Sequence, residues 1–226
     1  MLKRGTGRRL WLAGAVAAFG VMAYAGFALA ASPPIIGQVD DFYSAPSYTI
    51  DQGEVAQLQV TGSEHNATAL TNGPDSKALF RSPTISGGSA SVDGTQYLAA
   101  GDYQFFCTIH PTTMQATLHV SGNGTPQARP TATATLRTKT ISKALKKGLL
   151  VSINASTSST GATLTAKLGK ATIGRTSTSL VAGAQSKKLK LSKAGKSKLS
   201  KKSTAKVTVI TEIPFGAPAT AKAKLR

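Results

Sequence analysis

The chain of 226 residues has one cysteine, one tryptophan, three histidines and nine acidic residues, and aromatics make up 6% of it. A single cysteine excludes an intramolecular disulfide. It also excludes the multi-cysteine ligation of an iron–sulfur cluster, and no haem-binding spacing is present. Three histidines are too few for a multinuclear metal enzyme built by this chain alone. Acidic residues are not merely scarce but confined: after residue 126 only Glu212 remains, against 21 basic residues, a net charge of +20. The same stretch has almost no aromatics to interleave with its charge, which argues against a nucleic-acid surface.

Residues 32–126 run the other way, with two basic residues (Lys77, Arg81) against eight acidic ones, a net of −6. The overall +18 therefore hides two segments with different surfaces. The one long apolar run, Leu10–Ala30, follows Lys3, Arg4, Arg8 and Arg9 and ends in Ala28-Leu29-Ala30. That is the pattern of an export signal in residues 1–30, or of an N-terminal membrane anchor if it is not cleaved. The basic flank places the remaining chain outside the cytoplasm in either case. The expected location is periplasmic, cell-envelope or extracellular.

Turn formers are plentiful, with 22 Gly and 10 Pro in the whole chain. From Ile35 to Val120 short period-two runs such as Val55–Val60 and Ala116–Val120 are separated by Gly53, Asn72-Gly73-Pro74, Gly87-Gly88 and Asp93-Gly94. Short strands with frequent turns predict an all-β sandwich over 35–120. Residues 121–131, "SGNGTPQARPT", read as a linker. Runs such as Leu149–Ile153, Ala162–Leu168 and Ala205–Thr211 predict a second small sandwich over 132–226, with lysines on one strand face and apolar residues on the other. The Lys/Ser tract 193–202 reads as a turn or a short helix.

The chemistry concentrates in "GDYQFFCTIHPTTM", residues 101–114. Cys107, His110 and Met114 stand in the pattern Cys-x2-His-x3-Met, and His65 lies 42 residues upstream, followed by Asn66. A thiolate, two imidazoles and a thioether suit copper cycling between two oxidation states, with the thioether as a weak axial ligand. Zinc makes little use of a thioether. Alternation in "YQFFC" places Tyr103, Phe105 and Cys107 on one face, so two aromatics are expected beneath the sulfur. Pro111 stiffens the turn between ligands, and Asn66 is placed to clamp the ligand loop. A buried structural cysteine is the ordinary alternative for Cys107. His119 is out of register with the set and reads as a surface residue.

"HNATAL" and "GDYQFFCTIHPTTM", with "LFRSPTISGG", resemble the cupredoxin family of the plastocyanin–amicyanin kind over about 85 residues. The resemblance implies a Greek-key β-sandwich and one mononuclear type 1 copper held by His65, Cys107, His110 and Met114, supported by Asn66, Phe105 and Pro111. It implies one-electron outer-sphere transfer with a redox protein partner, and no enzymatic activity. Copper storage or delivery is the alternative function. The basic segment 132–226 is loosely similar to Ig-like modules of secreted bacterial proteins. It is expected either to be a solubilising face or to attach to anionic envelope polymers or lipid headgroups.

Overall fold

The computed structural model describes residues 34–226, so the export signal read in residues 1–30 lies outside the described residues. Among those described, no helix is long and apolar enough to cross a membrane. The first nine strands are β1 Ile35–Ile36, β2 Gln38–Val39, β3 Phe42–Tyr43, β4 Ser47–Gln52, β5 Ala56–His65, β6 Thr68–Ala69, β7 Ile85–Val92, β8 Gly101–Phe106 and β9 Gln115–Gly124. They form a sheet β1-β5-β7, a sheet β4-β9-β8-β6 and the short β2–β3 pair. Pairing is antiparallel except for β1 with β5 and β4 with β9, which run parallel. Alternation does what the pattern predicts: Ala56, Leu58 and Val60 point inward from one sheet, and Ala116, Leu118 and Val120 from the other.

Gly87-Gly88 reads in the sequence as a turn, yet both residues lie inside β7, at φ of 81° and 83°. Their partner strand is irregular there, with a register shift between Val60 and Glu64. Glycine tolerates that left-handed backbone, and an irregularity of this kind re-aims the strand that carries it. The consequence is functional. Buried positions on β5 run 56, 58 and 60 and then resume at His65, while Glu64 is exposed.

The second set of strands is β10 Ala132–Leu136, β11 Leu149–Ala155, β12 Ser159–Leu168, β13 Ala171–Leu180, β14 Gly183–Leu189, β15 Ala205–Glu212 and β16 Ala219–Leu225. A three-stranded sheet β10-β11-β14 packs on a four-stranded sheet β13-β12-β15-β16 around its own core, which includes Val151, Ile153, Leu164, Val207 and Val209. Two helices cover it, α1 Ile141–Lys147 and α2 Lys193–Ser200. The Lys/Ser tract is therefore helical, and Ser192 Oγ caps it by accepting from Gly195 N at 2.9 Å. Helix α1 and strand β13 have no counterpart among the sequence runs. Strand β13 is mostly Ser, Thr and Gly, with only Ile173 and Leu180 as buried large side chains, so its apolar signal is faint. The lysine alternation holds, with Lys206, Lys222 and Lys224 exposed while Val207, Val209 and Ala221 are buried.

The segment 121–131, read as a linker, begins inside β9, which reaches Gly124 and pairs it with Gln52. Beyond it, Gln127 N donates to Gln96 O at 2.8 Å, and Arg129 Nη1 to Phe215 O at 3.4 Å. Phe215, the one aromatic after residue 126, joins the two sandwiches. Its amide donates to Asp75 Oδ2 at 3.0 Å, and its ring lies 4.2 Å beneath the Arg81 guanidinium. Arg81 in turn pairs with Asp75 at 3.2 Å. Gly94 is obligatory beside them, since a Cβ there would stand 2.8 Å from the Phe215 ring and 2.6 Å from Leu79 O.

Burial works to raise the Asp75 pKa, but hydrogen bonds from the Phe215 and Lys77 amides, together with Arg81, outweigh it and hold the carboxyl below its ordinary 3.8. A carboxylate whose folded pKa is depressed stabilises above its ordinary value, and that contribution disappears as pH falls through the lowered one. Asp75→Asn should therefore cost roughly 1–3 kcal/mol near neutral pH, and the gap to the native chain should close under acid. Urea midpoints of both proteins across that range would show it.

Candidate metal centre

Three elements bring the donors together. His65 is the last residue of β5, Cys107 follows the end of β8, and His110 sits in the turn leading to β9. Register closes that turn: Phe106 pairs with Gln115, and next to them Cys107 N donates to Met114 O at 3.0 Å. Met114 N donates to His110 O at 2.9 Å, and Gln115 Nε2 to Pro111 O at 2.7 Å. Three hydrogen bonds thus cross the eight-residue loop, with Cys107 and Met114 paired at its base, both wholly buried. Cys107 Sγ lies 3.9 Å from His65 Nδ1. One donor atom each from His65, Cys107 and His110 falls within 4.8 Å of the others. Ligands at about 2.0–2.3 Å from a shared ion stand roughly 3.5–4 Å apart in a trigonal plane, so only a small contraction separates this arrangement from coordination.

The ring nitrogens agree. His65 Nε2 is 3.0 Å from Ser63 Oγ; donating its proton there leaves the Nδ1 lone pair toward the sulfur. Burial, together with His110 and against Asp41, pushes His65 below its ordinary 6.5, which keeps the imidazole neutral and able to ligate. His110 Nε2 lies 3.3 Å from Asp41 Oδ1, while His110 Nδ1 is buried with no hydrogen-bond partner. A buried lone pair without a partner costs about 1–3 kcal/mol. A metal ion would remove that cost. Two imidazoles and a thiolate converge, with a buried thioether beside them. This is the donor set of a blue-copper centre.

Around it the polar groups are well satisfied. Asn66 Oδ1 accepts from Thr108 N at 3.0 Å, and its Nδ2 donates to Thr108 Oγ1 at 2.7 Å and Thr84 Oγ1 at 3.0 Å. Asn66 thus bridges the end of β5 to the loop that follows Cys107, with Thr108 and Thr84 as its partners. Asn66→Ala should weaken copper binding by about 10–100-fold, measurable by competition with a chelator, because Thr108 would lose its tether.

The aromatic base differs in one residue from the expected pair. Phe105 is buried beneath the site, but Tyr103 lies nearer the far end of β8, its hydroxyl donating to Ala99 O. The second ring is Tyr43, 4.8 Å from Phe105, with its hydroxyl donating to Asn66 O at 2.7 Å. Burial first, and then the neighbouring Cys107, pushes the Tyr43 hydroxyl upward, so it stays a neutral donor. His119 is half-exposed and pairs with Asp102 at 2.6 Å, apart from the site as expected.

Tyr43, Ser63 and Asp41 were not legible as partners. Ser63 stands two residues before His65, which is the only local hint. Asp41→Asn should raise the reduction potential of the copper-loaded protein, since the carboxylate beside His110 favours the more highly charged oxidation state. Voltammetry at low and high salt would show an upward shift that shrinks with screening.

No family model matches the chain, and no curated protein sequence does. Among solved structures, amicyanin from Paracoccus versutus is 28% identical over 40% of this chain and 83% of its own, with a TM-score of 0.33. Auracyanin A, a "blue" copper protein from Chloroflexus aurantiacus, is 20% identical over 38% of this chain and 96% of its own, at 0.32. A reduced mutant of amicyanin is 20% identical over 42% and 87%, at 0.35. With scores this low, the case for copper rests on the donors of this chain.

Proposed function

We propose that this is an exported blue copper protein that passes single electrons to and from protein partners. The observation that carries the reading is the convergence of buried His65 and Cys107 with half-buried His110, whose Nδ1 is itself buried without a hydrogen-bond partner. Copper bound there would supply a one-electron couple. The chain's part is to hold His65, Cys107, His110 and Met114 so that neither oxidation state requires the ligands to move. Asn66 tethers the loop, and Ser63 and Asp41 orient the two imidazoles. The rings of Phe105 and Tyr43 exclude water from the sulfur.

His110 is the exit. Its side chain is 25% exposed, whereas His65 is wholly buried. Ile109, Phe42 and Leu70 are exposed apolar residues on the strands and turn near that end of the sandwich. They suit a partner that docks briefly without strong electrostatic commitment. Export follows from the N-terminal signal pattern, and attachment to anionic envelope material from the basic C-terminal sandwich.

The test is copper loading of the purified protein. A strong visible sulfur-to-copper band with fast, reversible one-electron voltammetry is the expected result. Colourless copper-loaded protein with a reduced cysteine would overturn the blue-copper reading. Slow reduction, with ready transfer of Cu(I) to an acceptor, would instead favour copper delivery.

A further inference from the structure

Residues 127–226 carry 21 basic residues, 20 of them in the second sandwich, against one acidic one, and among the described residues none of these cations forms an ion pair. Its charge is not spread evenly by role. On the outer face of the four-stranded sheet, Lys206 and Lys224 are direct cross-strand neighbours and, with Lys222, line a more open depression of about 380 Å³ that has no exposed large apolar side chain. At the other sheet the cations surround one. A cleft of about 400 Å³ lies where α1 meets the ends of β10, β11 and β14, lined by Arg137, Lys139, Lys143, Lys147, Leu150 and Lys188.

Three features distinguish this cleft from a merely charged face. Arg137 is oriented at the rim by an exposed hydrogen bond, its Nε donating to Ser152 Oγ at 2.9 Å. Lys143 and Lys147 are one helical turn apart on α1, a like-charge spacing that weakens a short helix unless an anion sits between them. Leu150, 46% exposed, sits between the cations as the apolar floor, in register with Lys188 on the neighbouring strand. A soluble polyanion would use the charges and gain nothing from the leucine. An anionic lipid uses both: its phosphate meets the cationic rim, and the glycerol and first methylenes cover Leu150 and the lysine stems.

We propose that this cleft binds the headgroup of an anionic glycerophospholipid, seating the basic sandwich on a membrane surface. The proposal rests on the reading of the basic module as an attachment unit and gives that unit its site and ligand.

The compact unit Pro33–Arg226, which contains both cores, is the protein to use. Its binding to vesicles of phosphatidylglycerol in phosphatidylcholine, and to soluble polyphosphate, is measured by sedimentation and by fluorescence anisotropy. The triple variant Lys143→Gln, Lys147→Gln, Lys188→Gln is expected to lose at least tenfold in vesicle affinity. The equal-charge control Lys206→Gln, Lys222→Gln, Lys224→Gln, in the depression of the four-stranded sheet that lacks an exposed leucine, should lose less than threefold. Leu150→Gln should weaken vesicle binding severalfold and leave polyphosphate binding unchanged; its fold is checked by the thermal midpoint.

Equal losses from both triple variants would overturn the cleft while leaving electrostatic attachment of the module standing. An inert Leu150→Gln with tight polyphosphate binding would make a soluble polyanion the ligand and overturn the lipid. No binding to either probe would overturn both the cleft and the attachment reading.

Discussion

Cys107→Ser should leave a folded protein that takes up copper weakly and shows no intense visible band. The thiolate is the one soft anionic donor in the set, and the band arises from its bond to the metal. Serine fills nearly the same space, and position 107 lies at a loop base already pinned by the Cys107–Met114 and Asn66–Thr108 hydrogen bonds. The fold therefore has little reason to change. The loss in copper affinity should exceed the ~10–100-fold that removal of a supporting residue costs, because a ligand itself is gone. Chelator competition and the visible spectrum measure the two effects separately. A retained band would mean that the sulfur of Cys107 is not a ligand, and the copper reading would fail with it.

The largest effect on stability should come from Phe105→Ala. Phe105 is wholly buried, between Tyr43 at 4.8 Å and Phe80 at 6.0 Å. Truncating a buried phenylalanine typically costs about 3–5 kcal/mol, because the lost burial is compounded by the cavity left behind. That is a large part of the ~5–15 kcal/mol holding a domain together. The same ring lies under the metal loop, two residues before Cys107, so the copper-loaded variant should also show a broadened, less intense band. Denaturant midpoints of apo and copper-loaded protein would check this. Copper should recover part of the loss, since it binds only the folded site. A midpoint shift of less than about 1 kcal/mol would mean that the surrounding rings collapse into the space.

Much of the candidate metal site was legible along the chain. The spacing Cys-x2-His-x3-Met needs only a tight turn after a strand to become a cluster, and the pairing of Phe106 with Gln115 supplies that turn. Asn66 was legible because it follows its histidine directly. The alternation of lysine with valine in β15 follows from a strand with one face in water.

Other features could not be read locally. The glycine pair Gly87-Gly88 carries the same sequence signal in a turn as in an irregular strand. Phe215 reads as an isolated aromatic before a glycine, yet it meets Asp75 from 140 residues away. Asp41 is one acidic residue among eight in its segment until the fold places it beside His110.

The sequence alone determined which donors exist, that three of them share one short loop, and that two strand-rich segments of opposite charge succeed a basic and then apolar N-terminal run. Those are properties of composition and period, which the chain carries whether folded or not. Tertiary structure decided that His65 faces the sulfur. Simple alternation from Val60 would have turned Glu64 inward and His65 out to solvent; the irregular pairing of β5 with β7 shifts the buried phase by one residue. A metal centre needs donors within a few ångströms, and only the register between two distant strands fixes that distance.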